Sequence, residues 1–134
     1  MQTIFEPKNE LSFDRDVFES MRKSALDFLQ TAEKNEYTLV IVLLSSTGKK
    51  YCTIVNNALT DDQGDTRSLL ERLRLHNDIV VDRILCLWQD GNIDVPSFAF
   101  RKMLCALSPK NTASGIFVQT ETGFSTVKLE TTMK

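Results

Sequence analysis

The chain is short of histidine, of cysteine and of any charge excess, and each shortage narrows its functions. Sixteen Lys and Arg face eighteen Asp and Glu in 134 residues, a net charge of -2. No global field therefore points to nucleic acid or to an anionic membrane surface. The longest apolar run, Leu39 to Leu44, is far too short to span a bilayer. The opening MQTIFEPKNE has neither a basic stretch nor an apolar core, so no secretory leader is expected. Cys52, Cys86 and Cys105 are odd in number and widely separated, and they read as free thiols in a reducing, cytoplasmic compartment. The sole histidine, His76, lies near a helix end and reads as solvated or capping.

What is present is ordinary α/β patterning in a chain long enough for one domain over residues 1–134. Phe13, Val17, Phe18, Met21, Ala25, Phe28, Leu29 and Ala32 recur at spacings of three and four, predicting a helix from about Asp14 to Lys34. Tyr37 to Leu44 is apolar on both parities, as a strand covered on both faces would be. A turn at Ser45–Lys50 leads into a second strand, Tyr51 to Val55. After a polar loop, Asn56 to Gly64, Asp65 or Thr66 can cap a helix running to His76, with Leu69, Leu70 and Leu73 inward.

Ile79 to Trp88 has the β-branched content of a central strand, with Trp88 placed for packing. Pro96 suits a first helical position, and Phe100, Met103, Leu104 and Leu107 give that helix a buried face. Ser114–Gln119 and Phe124–Leu129 form a closing hairpin whose Gly123 is free to take positive φ. The order is α-β-β-α-β-α-β-β. It predicts a three-layer α/β/α sandwich around a mixed five-stranded sheet.

Two segments resemble a known family. Pro96-Ser97-Phe98-Ala99-Phe100-Arg101-Lys102-Met103-Leu104 resembles, without a gap, the second zinc motif of cytidine deaminases, P-C-G-A-C-R-Q-V-L, with Pro96, Ala99, Arg101 and Leu104 as the family has them. Val55-Asn56-Asn57-Ala58 is similar to the family's V-E-N-A segment. Counting ungapped from there sets Asp65 on the cysteine and Arg67 on the glutamate of the first zinc motif, C-A-E-R. The short closing hairpin resembles the small cytidine and blasticidin-S deaminase branch.

The resemblance implies a zinc held by three cysteine or histidine ligands, an activated water and a glutamate that shuttles protons. The matching positions instead carry Asp65, Ser97 and Phe100, and a phenyl ring cannot ligate. Without the metal, water returns toward a pKa of ~15.7 from one near neutrality. Arg67 in place of the glutamate removes the proton shuttle, because guanidinium keeps its proton below pH ~12. The expectation is a degenerate deaminase-like protein with no catalytic residues, no metal and no cofactor.

In the family an asparagine and, two residues on, a glutamate contact the ribose, and Ile54 and Asn56 stand there instead. Asn56, Asn57, Arg67 and Arg101 remain the candidate contacts to a nucleoside or nucleotide, Arg67 meeting a phosphate at a helix start. The resemblance also implies a homo-oligomer, dimer or tetramer, while the charge balance and short apolar runs point to neither nucleic acid nor membrane as partner. An ion network of Asp65, Arg67 and Arg101 is expected in the vacated space, with Phe100 filling its apolar part. The alternative is that Asp65 caps the helix and Arg67 points to solvent. Ser97, with no base in the matched motifs, reads as a helix cap, Asp61-Asp62 as a solvated loop, and Cys105 as a core thiol. An enzyme of another reaction class would need an acid, base and nucleophile set that the sequence does not offer.

Overall fold

The computed structural model describes residues 4–5, 10–56 and 64–133. Helix α1 spans Arg15–Gln30 and buries Phe18, Met21, Ala25 and Leu29, the stripe its periodicity marks. The Asp14 side chain caps it by accepting from the Val17 amide at 3.1 Å. It stops short of the expected Lys34. Leu29 is the last buried member of the stripe, and the Thr31 hydroxyl turns back to donate to the Phe28 carbonyl at 3.0 Å.

The five long strands fall where the apolar runs place them, as β3 (Leu39–Ser45), β4 (Lys50–Val55), β5 (Val81–Trp88), β7 (Gly115–Thr120) and β8 (Gly123–Lys128). The sheet has eight strands rather than five. Strands β1 (Ile4–Phe5), β2 (Glu10–Leu11) and β6 (Ile93–Asp94) are two-residue additions paired to β7, β8 and β5. Two residues carry no alternation, so sequence pattern could not mark them. The order β2-β8-β7-β5-β3-β4 is mixed, with β5 and β7 parallel and β3 antiparallel to both β4 and β5.

Alternation sorts the sheet residues between two cores. Val40, Val42, Leu85, Leu87 and Phe117 pack with α1, whereas Leu39, Ile41, Leu43, Ile84, Cys86 and Ile116 pack with α2 (Gly64–Leu75) and α3 (Phe98–Leu107). The result is the expected three layers. Asn77 ends α2 in the left-handed region at φ 50°, where Asn is tolerated, and the Asp78 amide donates back to the Leu73 carbonyl.

Gly115 admits the β7–β8 contact: a Cβ there would lie 2.8 Å from Thr126 Cγ2. Gly123, at φ +149°, takes the positive φ expected at the hairpin turn. Register aligns Leu39 with Val55 and Trp88. At that upper end α2 and α3 both begin. Ser45 and Val81 pair at the lower end, where α2 finishes.

Candidate functional site

The upper end is built by the starts of α2 and α3 against the finishing ends of β4 and β5, where ligands of open α/β sheets usually bind. Ser97 is the N-cap of α3, its hydroxyl accepting from the Phe100 amide at 3.2 Å. Pro96 therefore precedes the cap instead of opening the helix, which the ring's missing N–H also allows. Phe100 is fully buried in the core beneath α2 and α3.

Asp65 and Thr66 lie inside the first turn of α2, not at its cap, because the helix already includes Gly64. Asp65 and Arg67 are exposed, and Thr66 is buried. Helix residues two apart do not face each other. Arg101 is half-buried and donates to two carbonyls, Nη1 to Thr132 at 2.8 Å and Nε to Ser97 at 3.4 Å, with its guanidinium over the Phe98 ring at 5.8 Å. Among the described residues the expected Asp65–Arg67–Arg101 ion network does not form. Burial lowers the Arg101 pKa, while the nearby Cys86 and Asp94 pull it up.

Asp94 is the residue that the sequence pattern concealed. It is 8% exposed, and its carboxylate accepts from Trp88 Nε1 at 3.0 Å and from the Val95 amide at 2.8 Å. The available signal was Trp88, whose buried indole N–H needs a partner. Trp88 itself is a packing residue, as expected. Cys86 is buried beside Asp94, and burial raises its pKa well above the ordinary thiol range.

Asn56 is exposed at the end of β4, and Ile54 faces the α1 layer. Asn57, Asp61 and Asp62 fall outside the described residues. His76 is exposed, its ring 5.8 Å from that of Tyr51. Cys105 is partly buried against the core, as its helical position predicts.

An open groove of about 360 Å³ runs between α2 and α3, lined by Arg67, Leu70, Glu71, Arg74, Met103 and Ala106. Among the described residues no helix is long and apolar enough to cross a membrane.

No family model and no curated protein matches the chain. Solved structures do. Cytidine deaminase from Mycobacterium leprae superposes with a TM-score of 0.58 at 15% identity, covering 81% of this chain and 92% of that one. The enzyme from Mycobacterium tuberculosis gives 0.61 at 14%, covering 89% and 94%. That from Burkholderia pseudomallei gives 0.59 at 10%, covering 84% and 93%. The chain has the cytidine deaminase fold.

Whether a deaminase zinc suits this copy of the fold depends on the donors it offers. Of the three matching positions, Asp65 is an exposed carboxylate on α2, Ser97 spends its hydroxyl as a cap, and Phe100 presents a hydrocarbon ring to the core. A catalytic zinc needs three protein ligands and one open position. Among the described residues no three His, Cys, Asp or Glu side chains converge. Among the described residues, Asp65, Ser97 and Phe100 do not fit the metal.

Proposed function

We propose that this protein is a catalytically inactive cytidine-deaminase-like molecule, one domain over its whole length, that works as a homo-oligomeric binding or interaction module in the cytoplasm. The observation that carries this reading is Phe100: the position matching a zinc thiolate holds a side chain at 0% exposure, committed to the core. Arg67 at the position of the proton-shuttling glutamate supports it, since a guanidinium neither accepts nor returns a proton near neutrality. Self-association as a dimer or tetramer is carried over from the family resemblance. The test is a deamination assay on cytidine and deoxycytidine with zinc-supplemented protein, where no turnover above the buffer blank is expected. Turnover abolished by a chelator would overturn the reading, and a monomer in sedimentation at micromolar concentration would remove the assembly part.

A second reading is favoured by one observation. Arg67 is exposed in the first turn of α2, where the helix dipole and a guanidinium both suit an anion. A nucleotide-binding protein would then be stabilised in thermal shift by cytidine monophosphate more than by cytidine. No shift with either compound counts against it.

A further inference from the structure

Strand β4 ends the sheet on its side, paired to β3 alone among the described residues. The opposite edge is β2, whose two residues are the short kind of edge that resists templating another strand. β4 has six residues, and Cys52, Thr53, Ile54 and Val55 carry neither charge nor proline, a composition that pairs readily. Antiparallel pairing turns both backbone groups of every second edge residue outward. The Ser45 amide donates to the Lys49 carbonyl at 2.8 Å, and alternation from that pair directs the N–H and C=O of Lys50, Cys52 and Ile54 away from β3.

Two sets of contacts agree with that orientation. Lys50, Cys52 and Ile54 share the α1 face: Lys50 Nζ donates to the hydroxyls of Ser20 and Ser24 at 2.8 and 2.9 Å, and Cys52 and Ile54 pack against the α1 core. The Cys52 carbonyl accepts from a group outside the sheet, Nη2 of Arg72, at 2.6 Å and 20 residues along the chain. Arg72 is half-buried in the last turn of α2. Its guanidinium sets charge and bulk at mid-strand, on a carbonyl that an added strand would need. Lys50, the other cation of this edge, is drawn off to α1. A second copy of the chain is a strand that fits. Two β4 strands running antiparallel about Cys52 would exchange N–H···O=C bonds between their Cys52 residues, and each Lys50 would fall opposite the other copy's Ile54, so no like charges meet.

We propose that Arg72 is a latch on the β4 edge: by holding the Cys52 carbonyl it keeps two copies of this chain from joining their sheets strand to strand. This goes beyond the functional reading, whose assembly is carried over from the family resemblance and does not call on β4.

The test is amide hydrogen exchange read residue by residue on the full-length chain, with sedimentation across the micromolar range. In the wild type the Lys50, Cys52 and Ile54 amides are expected to exchange faster than those of Tyr51, Thr53 and Val55, and at a rate that does not depend on concentration. Arg72→Met keeps an aliphatic stem and removes the donors. It is expected to self-associate about tenfold or more tightly than wild type, since the exchanged Cys52 hydrogen bonds become free to form, and to protect the outward amides as concentration rises. Arg72→Lys, which keeps a donor and the charge, should stay near wild type. Adding Cys52→Pro to Arg72→Met should abolish the gain, because proline removes an outward N–H that β3 does not use. Arg72→Met with wild-type association, association that leaves those amides exchanging, or association that survives Cys52→Pro overturns the proposal. So does protection of the outward amides in the wild type that grows with concentration, a result that needs no variant to fold. Deamination by the chain would overturn the inactive reading while leaving the exchange result standing, so the two failures are separable.

Discussion

At the lower end of the sheet, polar side chains tie distant segments together, whereas at the upper end Ser97 and Trp88 close short local loops. Asn111 Oδ1 accepts from the Val81 amide, 30 residues away, and its Nδ2 donates to the carbonyls of Ile79 and Leu104 at 2.9 Å each. Asp78 accepts from Tyr51 OH and Thr47 Oγ1, separations of 27 and 31 residues. Ser97 to Phe100, by contrast, spans three residues and Trp88 to Asp94 six. Arg101 to Thr132, 31 residues on, is a long-range exception among the described residues. Polar groups at the lower end therefore act as clamps between distant segments, and Ser97 and Phe100 at the upper end serve as a cap and as core packing. Chemistry needs convergent donors in a cleft, and of the matching positions Ser97 and Phe100 are put to structural use.

The largest effect that would break this contrast is at Phe100. Phe100→Ala leaves a cavity in the core and is expected to cost about 3–5 kcal/mol, read as a lower urea midpoint at unchanged slope. An effect under about 1 kcal/mol would mean that the ring is not core. Asn111→Ala comes next, at about 2–4 kcal/mol, because it strands one buried amide and two carbonyls. Calorimetry of that variant should show a markedly lowered Tm.

Asp78 sharpens the comparison through pH. Burial alone would push its pKa up, but the nearby Ser45 hydroxyl, hydrogen bonds from Tyr51 and Thr47 and the charge on Lys49 hold it below the usual carboxylate range. A depressed folded-state pKa gives stability that is present above the unfolded value of ~3.9 and is lost as pH falls through the folded value. Asp78→Asn should cost about 1–2 kcal/mol at pH 7. The gap from wild type should close in acid denaturation below about pH 4, and a gap constant from pH 7 to pH 2 would contradict the assignment.

Smaller still is Ser97→Ala, about 1 kcal/mol for a lost cap, with Ser97→Asp restoring most of it. A cap is replaceable by any good capping side chain, whereas a nucleophile is not. The smallest is Asp65→Asn, under about 0.5 kcal/mol by chemical denaturation, since the carboxylate is exposed and contributes only to the helix dipole.

Periodicity made the three helices and five long strands legible, because burying a stripe or both faces of a strand imposes a period on many residues at once. The cap at Ser97 and the core position of Phe100 were legible too, since they depend on residue chemistry and helical spacing. Asp94 and Asn111 were not. Each serves partners chosen by the tertiary fold, and nothing in GNID or SPKNT marks which backbone groups will need them. The expected ion network failed for a related reason. Arg101 satisfies itself on the main-chain carbonyls of Ser97 and Thr132, the latter brought by the turn Leu129–Met133 after the last strand.

The most direct test of the central claim is the zinc content of the purified full-length chain after growth in zinc-supplemented medium and dialysis, measured by inductively coupled plasma mass spectrometry. The packing of Phe100 and the capping role of Ser97 predict far less than one zinc per chain. One zinc per chain retained through dialysis would contradict the account.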